Sequence, residues 1–395
     1  MNENARPSIT LIVHWSYFGP FHLARLNTAF NEMKSAGVTV MGMEMTSQKA
    51  IFSWEQDNKP TAFDRYVVLP GQVFERVPPL RMWRGMMSIL DRVNPHAVAI
   101  NGYSYYDAWS ALVWCKLHRR RAILMSDSKS DDAPRSAWKE RLKQSIVHQF
   151  DSALCAGKSS RKYLEQLGMQ PEKIFEGLDA IDNDLFWRGA EHARQNPSSY
   201  HSLPGLDSPE PFFLAAARFI KRKNLDGLLQ AYAQYRRRSA TAGQKSKPWR
   251  LVILGDGVER STLEHLIDAE GINGVSLPGF FQIDELPAYY GLADVFIHPA
   301  HQDTWGLVVN EAMAAGLPVL TSKRAGCAPD LVDEGQNGFT FSPEDTNYLT
   351  DLMVLMSSGQ VDLKAMGQAS RDRISQWGPE RFASGLLQAL QKAVQ

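Results

Sequence analysis

The 395-residue chain has only three cysteines, no formal net charge and no long apolar run, and each shortage excludes something. Cys115, Cys155 and Cys327 are far apart and make no CxxC or Cys/His spacing, so neither a disulfide framework nor a zinc site is indicated. A reducing, cytoplasmic compartment is the expectation. Lys and Arg number 43 against 43 Asp and Glu, which argues against a general nucleic-acid binder, because a surface that tracks phosphates carries an excess of cations. No stretch approaches the ~18 apolar residues of a membrane span, and MNENARPSITLIVHW lacks the basic-then-apolar layout of a signal peptide. Any membrane contact is therefore expected to be peripheral, on the inner face. The first 200 residues carry 25 Lys and Arg against 21 Asp and Glu, a small excess that reads first as ordinary solvated surface.

What is present is a βα rhythm. Hydrophobic residues make up 44% of a length sufficient for two domains, each able to bury most of its apolar surface. Apolar, β-rich runs alternate with helical patterns, the signature of parallel sheets with crossover helices. In the first half, residues 8–14, 37–45, 97–100, 122–125 and 152–156 read as strands, and 22–36, 108–118 and 136–149 as helices. The stretch NPSSYHSLPGLDSPEP, residues 196–211, lacks periodicity and reads as an interdomain linker. The rhythm then resumes, with strands at 212–217, 250–254, 275–277, 295–298 and 318–321. Helices are expected at 225–238, with Asn224 as N-cap, and at 260–269, 283–290 and 307–315, with another opened by Pro329. The expected architecture is α/β, two Rossmann-like doubly wound domains facing a cleft, with residues 1–200 and 201–375 as the domains and 376–395 as a terminal helix.

In such folds ligands bind at the carboxyl ends of strands, so the loops that follow strands carry the candidate chemistry. In HPAHQDTWGLVVNEAMAAG a strand ends at His298, a loop carries Asp303, and a helix opens near Gly306 with Glu311 one turn inside. The amides of Trp305, Gly306 and Leu307 at that helix mouth could hold a phosphate oxygen. Glu311 could accept from a vicinal diol such as a ribose, and Asp303 from other hydroxyls. Taken alone, a capping Asp and a surface Glu would explain the pattern as well. In AAARFIKRKNLD, Arg218 and Lys223 follow a strand and could neutralise a diphosphate, the former bidentately and the latter as a compact charge. Gly255-Asp256-Gly257 after another strand permits close approach of a nucleotide, although a lone GxG is weakly specific.

Taken together, these segments resemble the retaining glycosyltransferases of family 4, which have the GT-B fold. RFIKRKNLDGLLQAY is similar to that family's Arg…Lys diphosphate segment, LVILGDGVERSTLE to its GDG turn, and the block from LADVFIHPAH to DEGQNGFTF to its signature. The resemblance covers the second half. It implies that Glu311 binds the nucleotide's ribose and that Arg218 and Lys223 hold the diphosphate. Gly255, Gly257, Phe281 and Gln282 would lie near the nucleotide, the Asp303 loop would meet the donor sugar, and Gly19 would approach the phosphates. The segment 377–390 resembles the family's terminal helix that crosses back onto the first domain. In two places the chain departs from the pattern. The first signature acid is Asp303 rather than Glu, one methylene shorter, and the first-domain stretch LMSDS lacks the family's His. The first half resembles the family more loosely, through YFGPFHLARL and IDNDLFW. His22, Arg25, Asn101, Tyr103 and Asp127 lie after or near strands and are acceptor-side candidates, though for each a structural role is the commoner one. Arg135, Lys139, Arg141 and Lys143 could form a basic face for an anionic lipid.

The expectation is a retaining transferase that moves a sugar from a nucleotide diphosphate to the hydroxyl of a carbohydrate, a lipid-linked or a small-molecule acceptor. It needs no cofactor or divalent cation, as no Asp-x-Asp motif accompanies the donor loop. A catalytically silent nucleotide-sugar binder and an epimerase of the same fold are the alternatives.

Overall fold

A computed structural model describes residues 9–48, 60–132, 135–241 and 247–395; residue 8 of the first expected strand lies outside them. The chain divides into two compact units, Met1–Asp182 with Trp377–Gln395, and Asn183–Gln376.

The first unit runs β1 (Ile9–Trp15), α1 (Pro20–Met33), β2 (Val38–Gln48), β3 (Arg65–Val73), α2 (Pro79–Val93), β4 (Ala97–Asn101), α3 (Tyr106–Leu117), β5 (Arg121–Ser126), α4 (Ala137–Val147), β6 (Ser152–Cys155), α5 (Lys158–Gln166) and β7 (Ile174–Glu176). Its seven strands form a parallel sheet in the order β3-β2-β1-β4-β5-β6-β7. β1, β4, β5 and β6 are almost wholly buried, as expected of strands covered on both faces.

The second unit runs α6 (Asn183–Gln195), β8 (Phe212–Ala216), α7 (Leu225–Thr241), β9 (Arg250–Leu254), α8 (Arg260–Ala269), β10 (Val275–Gly279), α9 (Leu286–Leu292), β11 (Val295–His298), α10 (Leu307–Ala314), β12 (Val319–Ser322), α11 (Ala328–Leu331), β13 (Gly338–Phe341), α12 (Thr346–Ser357) and α13 (Leu363–Ile374). Its parallel sheet has the order β10-β9-β8-β11-β12-β13. Strand order reverses between β8 and β11. At such a point the loops leaving two neighbouring strands diverge and open a crevice at their carboxyl ends.

The structure corrects the expected boundary at residue 200. The chain changes unit at Asp182, and α6 packs on α9 within the second unit. The helices meet at glycines: a Cβ at Gly291 would lie 2.6 Å from the Ala190 carbonyl oxygen, and one at Gly189 would lie 2.4 Å from Pro287 Cβ. The supposed linker also packs. Leu206 is buried and the Pro204 carbonyl accepts from Tyr289 Oη at 3.0 Å. Its lack of periodicity reflects irregular backbone laid on a surface.

The final helix α14 (Pro379–Val394) belongs to the first unit. It buries Phe382, Leu386 and Leu390 alongside α1 and the sheet, and its Ala389 carbonyl accepts from Ser152 Oγ of β6 at 2.7 Å.

Candidate functional site

The loops that converge at the β8/β11 switch point carry Arg218, Lys223 and Asp303. β8 ends at Ala216, and the chain then takes a 3-10 turn over Lys221–Lys223 before α7. Asn224, the expected N-cap, stands immediately before α7, and its buried side chain also binds the loops around it. It adopts a left-handed backbone (φ 55°) and its Nδ2 donates to the carbonyls of Pro299 (3.0 Å) and Pro343 (2.9 Å). The Lys223 turn is thereby tied to the loop that leaves β11.

That loop holds Asp303 in a buried cluster. Lys223 Nζ donates to Asp303 Oδ2, and His298 Nε2 lies 3.0 Å from the same oxygen. Burial works to raise the Asp303 pKa, but the Lys223 ammonium and His298 outweigh it and hold the carboxyl well below the usual carboxylate range. Asp303 is therefore an anion at all working pH. His298, 1% exposed, has its own pKa lowered by burial. Arg218 is half-buried; burial and the neighbouring Arg222 lower its pKa, and Asp303 opposes them. Being an arginine it remains charged.

The Gly255–Gly257 turn after β9 packs directly beneath the Arg218 segment. Ala217 N donates to the Leu254 carbonyl, Phe219 N to that of Asp256 and Glu259 N to that of Phe219. A Cβ at Gly255, where φ is 123°, would lie 1.8 Å from the Ala217 carbonyl oxygen. The motif thus has a definite local task here, holding the cation-bearing loop against the sheet.

Gly306 opens α10 in a left-handed conformation (φ 105°), and a Cβ there would sit 3.2 Å from His298 Nε2. The 303–306 loop is pinned on its other side, since Gly326 N donates to the Asp303 carbonyl and Cys327 N to that of Trp305. Trp305 is buried, with Nε1 donating to Asn310 Oδ1 at 2.9 Å. Leu307 is the first helical residue of α10. Glu311 lies inside that helix, 3% exposed, and accepts a 2.6 Å hydrogen bond from Tyr290 Oη at Oε2. Burial pushes the Glu311 pKa up to about 7, and the Tyr290 bond works the other way. Phe281 stacks at a tilt on Tyr289 (4.7 Å between ring centroids), and Gln282 N donates to Glu285.

In the first unit the candidates are placed differently. Gly19 is the N-cap of α1, and its amide donates to His22 Nδ1 at 2.9 Å, so His22 closes the first turn of that helix. Arg25 is buried, with Nε donating to the Ala180 carbonyl (2.7 Å) and a guanidinium nitrogen 3.4 Å from Asp179. Asp127, in the loop after β5, also acts on the Arg25 charge. Asn101 ends β4. Tyr103 follows it and its phenol is pushed up to about 12, chiefly by burial. His22 and Arg25 thus have local partners within the first unit, in keeping with the structural role that is the commoner one for each. Among the described residues no group of three or more His, Cys, Asp or Glu could hold a metal.

Sequence reasoning missed two site residues. His298 had been read only as the end of a strand. Tyr290 carries no signal of its own, because a Tyr in the apolar run LPAYYGLA reads as core.

The second unit thus presents cations, a helix mouth and a buried carboxyl at its switch point. Residues 200–373, most of the second unit, match the family model of the glycosyl transferases group 1. It is 37% identical over 132 residues to the sulfoquinovosyl transferase SQD2 of Arabidopsis thaliana, covering 32% of this chain and 25% of that one. It is 31% identical over 189 residues to the GDP-mannose-dependent alpha-(1-6)-phosphatidylinositol monomannoside mannosyltransferase of Mycobacterium tuberculosis, covering 46% and 47%. The matched segments span half or less of these relatives' own length. Among solved structures, a glycosyltransferase from Rickettsia africae superposes with a TM-score of 0.73 at 13% identity over 98% and 99% of the two chains. Anabaena Alr3699/HepE in complex with UDP and glucose gives 0.71 at 15% identity over 97% and 99%. The two-unit fold is therefore the GT-B fold.

Proposed function

We propose that this chain is a retaining glycosyltransferase that moves a sugar from a nucleotide-diphosphate sugar to an acceptor hydroxyl. The carrying observation is the convergence, within the second unit, of Arg218, Lys223 and the mouth of α10 around Asp303, with Glu311 buried in the same helix. Arg218 and Lys223 neutralise the leaving diphosphate, and the Leu307 end of α10 adds its dipole. Glu311 accepts from the ribose hydroxyls. Asp303, held as an anion by Lys223 and His298, meets a hydroxyl of the transferred sugar. The site is built to bind, orient and neutralise, and the departing phosphate oxygen takes the acceptor proton. The scheme needs no divalent cation, so transfer should persist in excess EDTA.

The acceptor side belongs to the first unit. The relatives named for glycolipid substrates, among them an alpha-monoglucosyldiacylglycerol synthase of Acholeplasma laidlawii, favour a lipid-linked acceptor and peripheral membrane contact. Helix α4 suits that contact, since Trp138 is 65% and Leu142 53% exposed one turn apart, beside Lys139 and Arg141. Arg135 and Lys143, by contrast, are engaged with Glu140 and Tyr163. No described helix is long and apolar enough to cross a membrane.

The test is a transfer assay over a panel of nucleotide sugars and lipid or saccharide acceptors, with the donor first narrowed by ligand-induced thermal shift. Retained anomeric configuration in the product, with loss of turnover in Lys223→Ala and Glu311→Ala proteins that stay folded, supports the proposal. Binding of nucleotide sugar without transfer or donor hydrolysis would leave a silent binder, and interconversion of free donor without acceptor would indicate an epimerase.

A further inference from the structure

We infer that Tyr290 is a positioning residue for nucleotide recognition, its hydroxyl fixing the Glu311 carboxylate in the orientation that receives the ribose diol. The inference rests on the reading of Glu311 given above and adds a residue that neither the motifs nor the family match points to.

The geometry separates Tyr290 from an ordinary core tyrosine. Among the described residues, the only hydrogen bond made by the Glu311 side chain is the one from Tyr290, to Oε2. The other carboxylate oxygen is left for a ligand. A Glu side chain has three rotatable bonds, so a carboxylate with one end anchored enters a two-point interaction with less ordering to do. The anchor itself is rigid. Tyr290 is 0% exposed, and its ring is met edge-on by Phe186 of α6 (5.7 Å, 82°) and lies 5.6 Å from Phe296 of β11. Its helix is fixed by the glycine contacts between α6 and α9 described above. Three elements thus hold one hydroxyl at one place.

The bond also selects the useful protonation state. A vicinal diol donates two hydrogen bonds and needs an acceptor-only partner, which a carboxylate is and a carboxylic acid is not. Burial disfavours the ionised form of Glu311, and the Tyr290 hydroxyl favours it. From the elements packed against α10, Arg194 of α6 donates to the Ala315 carbonyl and Arg371 of α13 lies against Gly316, both at the end of the helix, while burial and the Tyr290 hydroxyl act on the carboxyl itself. The Tyr290 phenol is raised well above its ordinary value by burial and the adjacent carboxyl, so it remains a donor throughout the working range.

The experiment titrates the full-length protein with uridine, guanosine, adenosine and thymidine diphosphates by calorimetry between pH 5.5 and 8.5. Wild type, Tyr290→Phe, Glu311→Gln and the double variant are compared on whichever nucleotide binds wild type most tightly. Tyr290→Phe should weaken binding roughly tenfold, as expected for loss of a hydrogen bond to a charged group. It should also move the acidic limb of the affinity profile to higher pH, because removing the donor lets burial raise the Glu311 pKa further. In the Glu311→Gln background the same change should cost less than about twofold. A purely structural role would lower the melting temperature and leave the acidic limb in place, which overturns the inference. If Tyr290→Phe does not fold, 3-fluorotyrosine at position 290, a stronger donor of nearly the same size, should move the limb to lower pH; an unmoved limb overturns the inference equally. If Glu311→Gln binds the nucleotide as wild type does, or if no nucleotide binds wild type, the reading of the site falls and this inference with it. Loss of affinity in Glu311→Gln beside an unaltered Tyr290→Phe profile removes the positioning role alone.

Discussion

Replacing Gly255 by alanine should show how far the site depends on the turn beneath it. The added Cβ would stand 1.8 Å from the Ala217 carbonyl oxygen. An ordinary carbon–oxygen contact needs roughly 3.3 Å, so the two segments must part by more than 1 Å. The segment that gives way leads from Ala217 straight into Arg218. Two costs add. The backbone at φ 123° is one an alanine rarely adopts, which costs about 1–2 kcal/mol, and the overpacking costs about 1–3 kcal/mol more. Gly271 provides the control, since it also has a positive φ (60°) but nothing within 4 Å of a built Cβ. Gly271→Ala should pay only the backbone cost and bind nucleoside diphosphate as wild type does. Gly255→Ala should melt below the Gly271→Ala protein. Its diphosphate affinity and kcat/KM should fall by up to about a hundredfold, the scale expected when a positioning group shifts by about 1 Å. Thermal denaturation and calorimetry on the two variants decide it. Equal melting temperatures, or wild-type diphosphate affinity in Gly255→Ala, would refute the argument that this turn props up the cation loop.

Further outcomes follow from the same geometry. Lys223→Ala should lower kcat/KM by about 10²–10³ and destabilise the fold by about 3 kcal/mol, because Asp303 is left as a buried anion without its cation; steady-state kinetics and denaturant melts test both. Asn224→Ala should cost about 2–4 kcal/mol, through two orphaned carbonyls and left-handed strain, and Asn224→Gly should recover only the strain component in the same melts. The raised Glu311 pKa carries a sign. Its carboxyl keeps its proton in the fold up to about pH 7, so it contributes stability that is fully present below the unfolded value near 4.5 and is lost as pH rises through about 7. Wild type should therefore lose up to roughly 3 kcal/mol relative to Glu311→Gln between pH 5 and pH 8, and a pH-independent difference in their melting temperatures would contradict this.

The second unit was legible where burial on both sheet faces forces continuous apolar strands. FFLAA, RLVIL and VFIH announce themselves, and helix 260–269 falls where its pattern places it. β3 was not legible, because RYVVLPGQV is an edge strand interrupted by Pro70 and Gly71, without the alternation of a half-buried strand. The domain boundary was misplaced because composition marks irregular backbone, and irregular backbone packs as well as links. Arg218, Lys223, Asp303 and Glu311 stood out as charges after strands. What sequence spacing could not supply is which of them touch. Lys223 and Asp303 meet across eighty positions, a pairing fixed by the β8/β11 reversal rather than by any local pattern. Tyr290 was invisible for the opposite reason, since its polar atom is one hydroxyl in an otherwise apolar helix.

The central claim is that the second unit grips a diphosphate with two cations and a helix mouth while Glu311 takes the attached pentose. A crystal structure of the protein with the tightest-binding nucleoside diphosphate tests it most directly. The account predicts phosphate oxygens within hydrogen-bond reach of Arg218, Lys223 and the Leu307 amide, and both ribose hydroxyls on Glu311. A nucleotide seated away from α10, with Glu311 still bonded to Tyr290 alone, would contradict it.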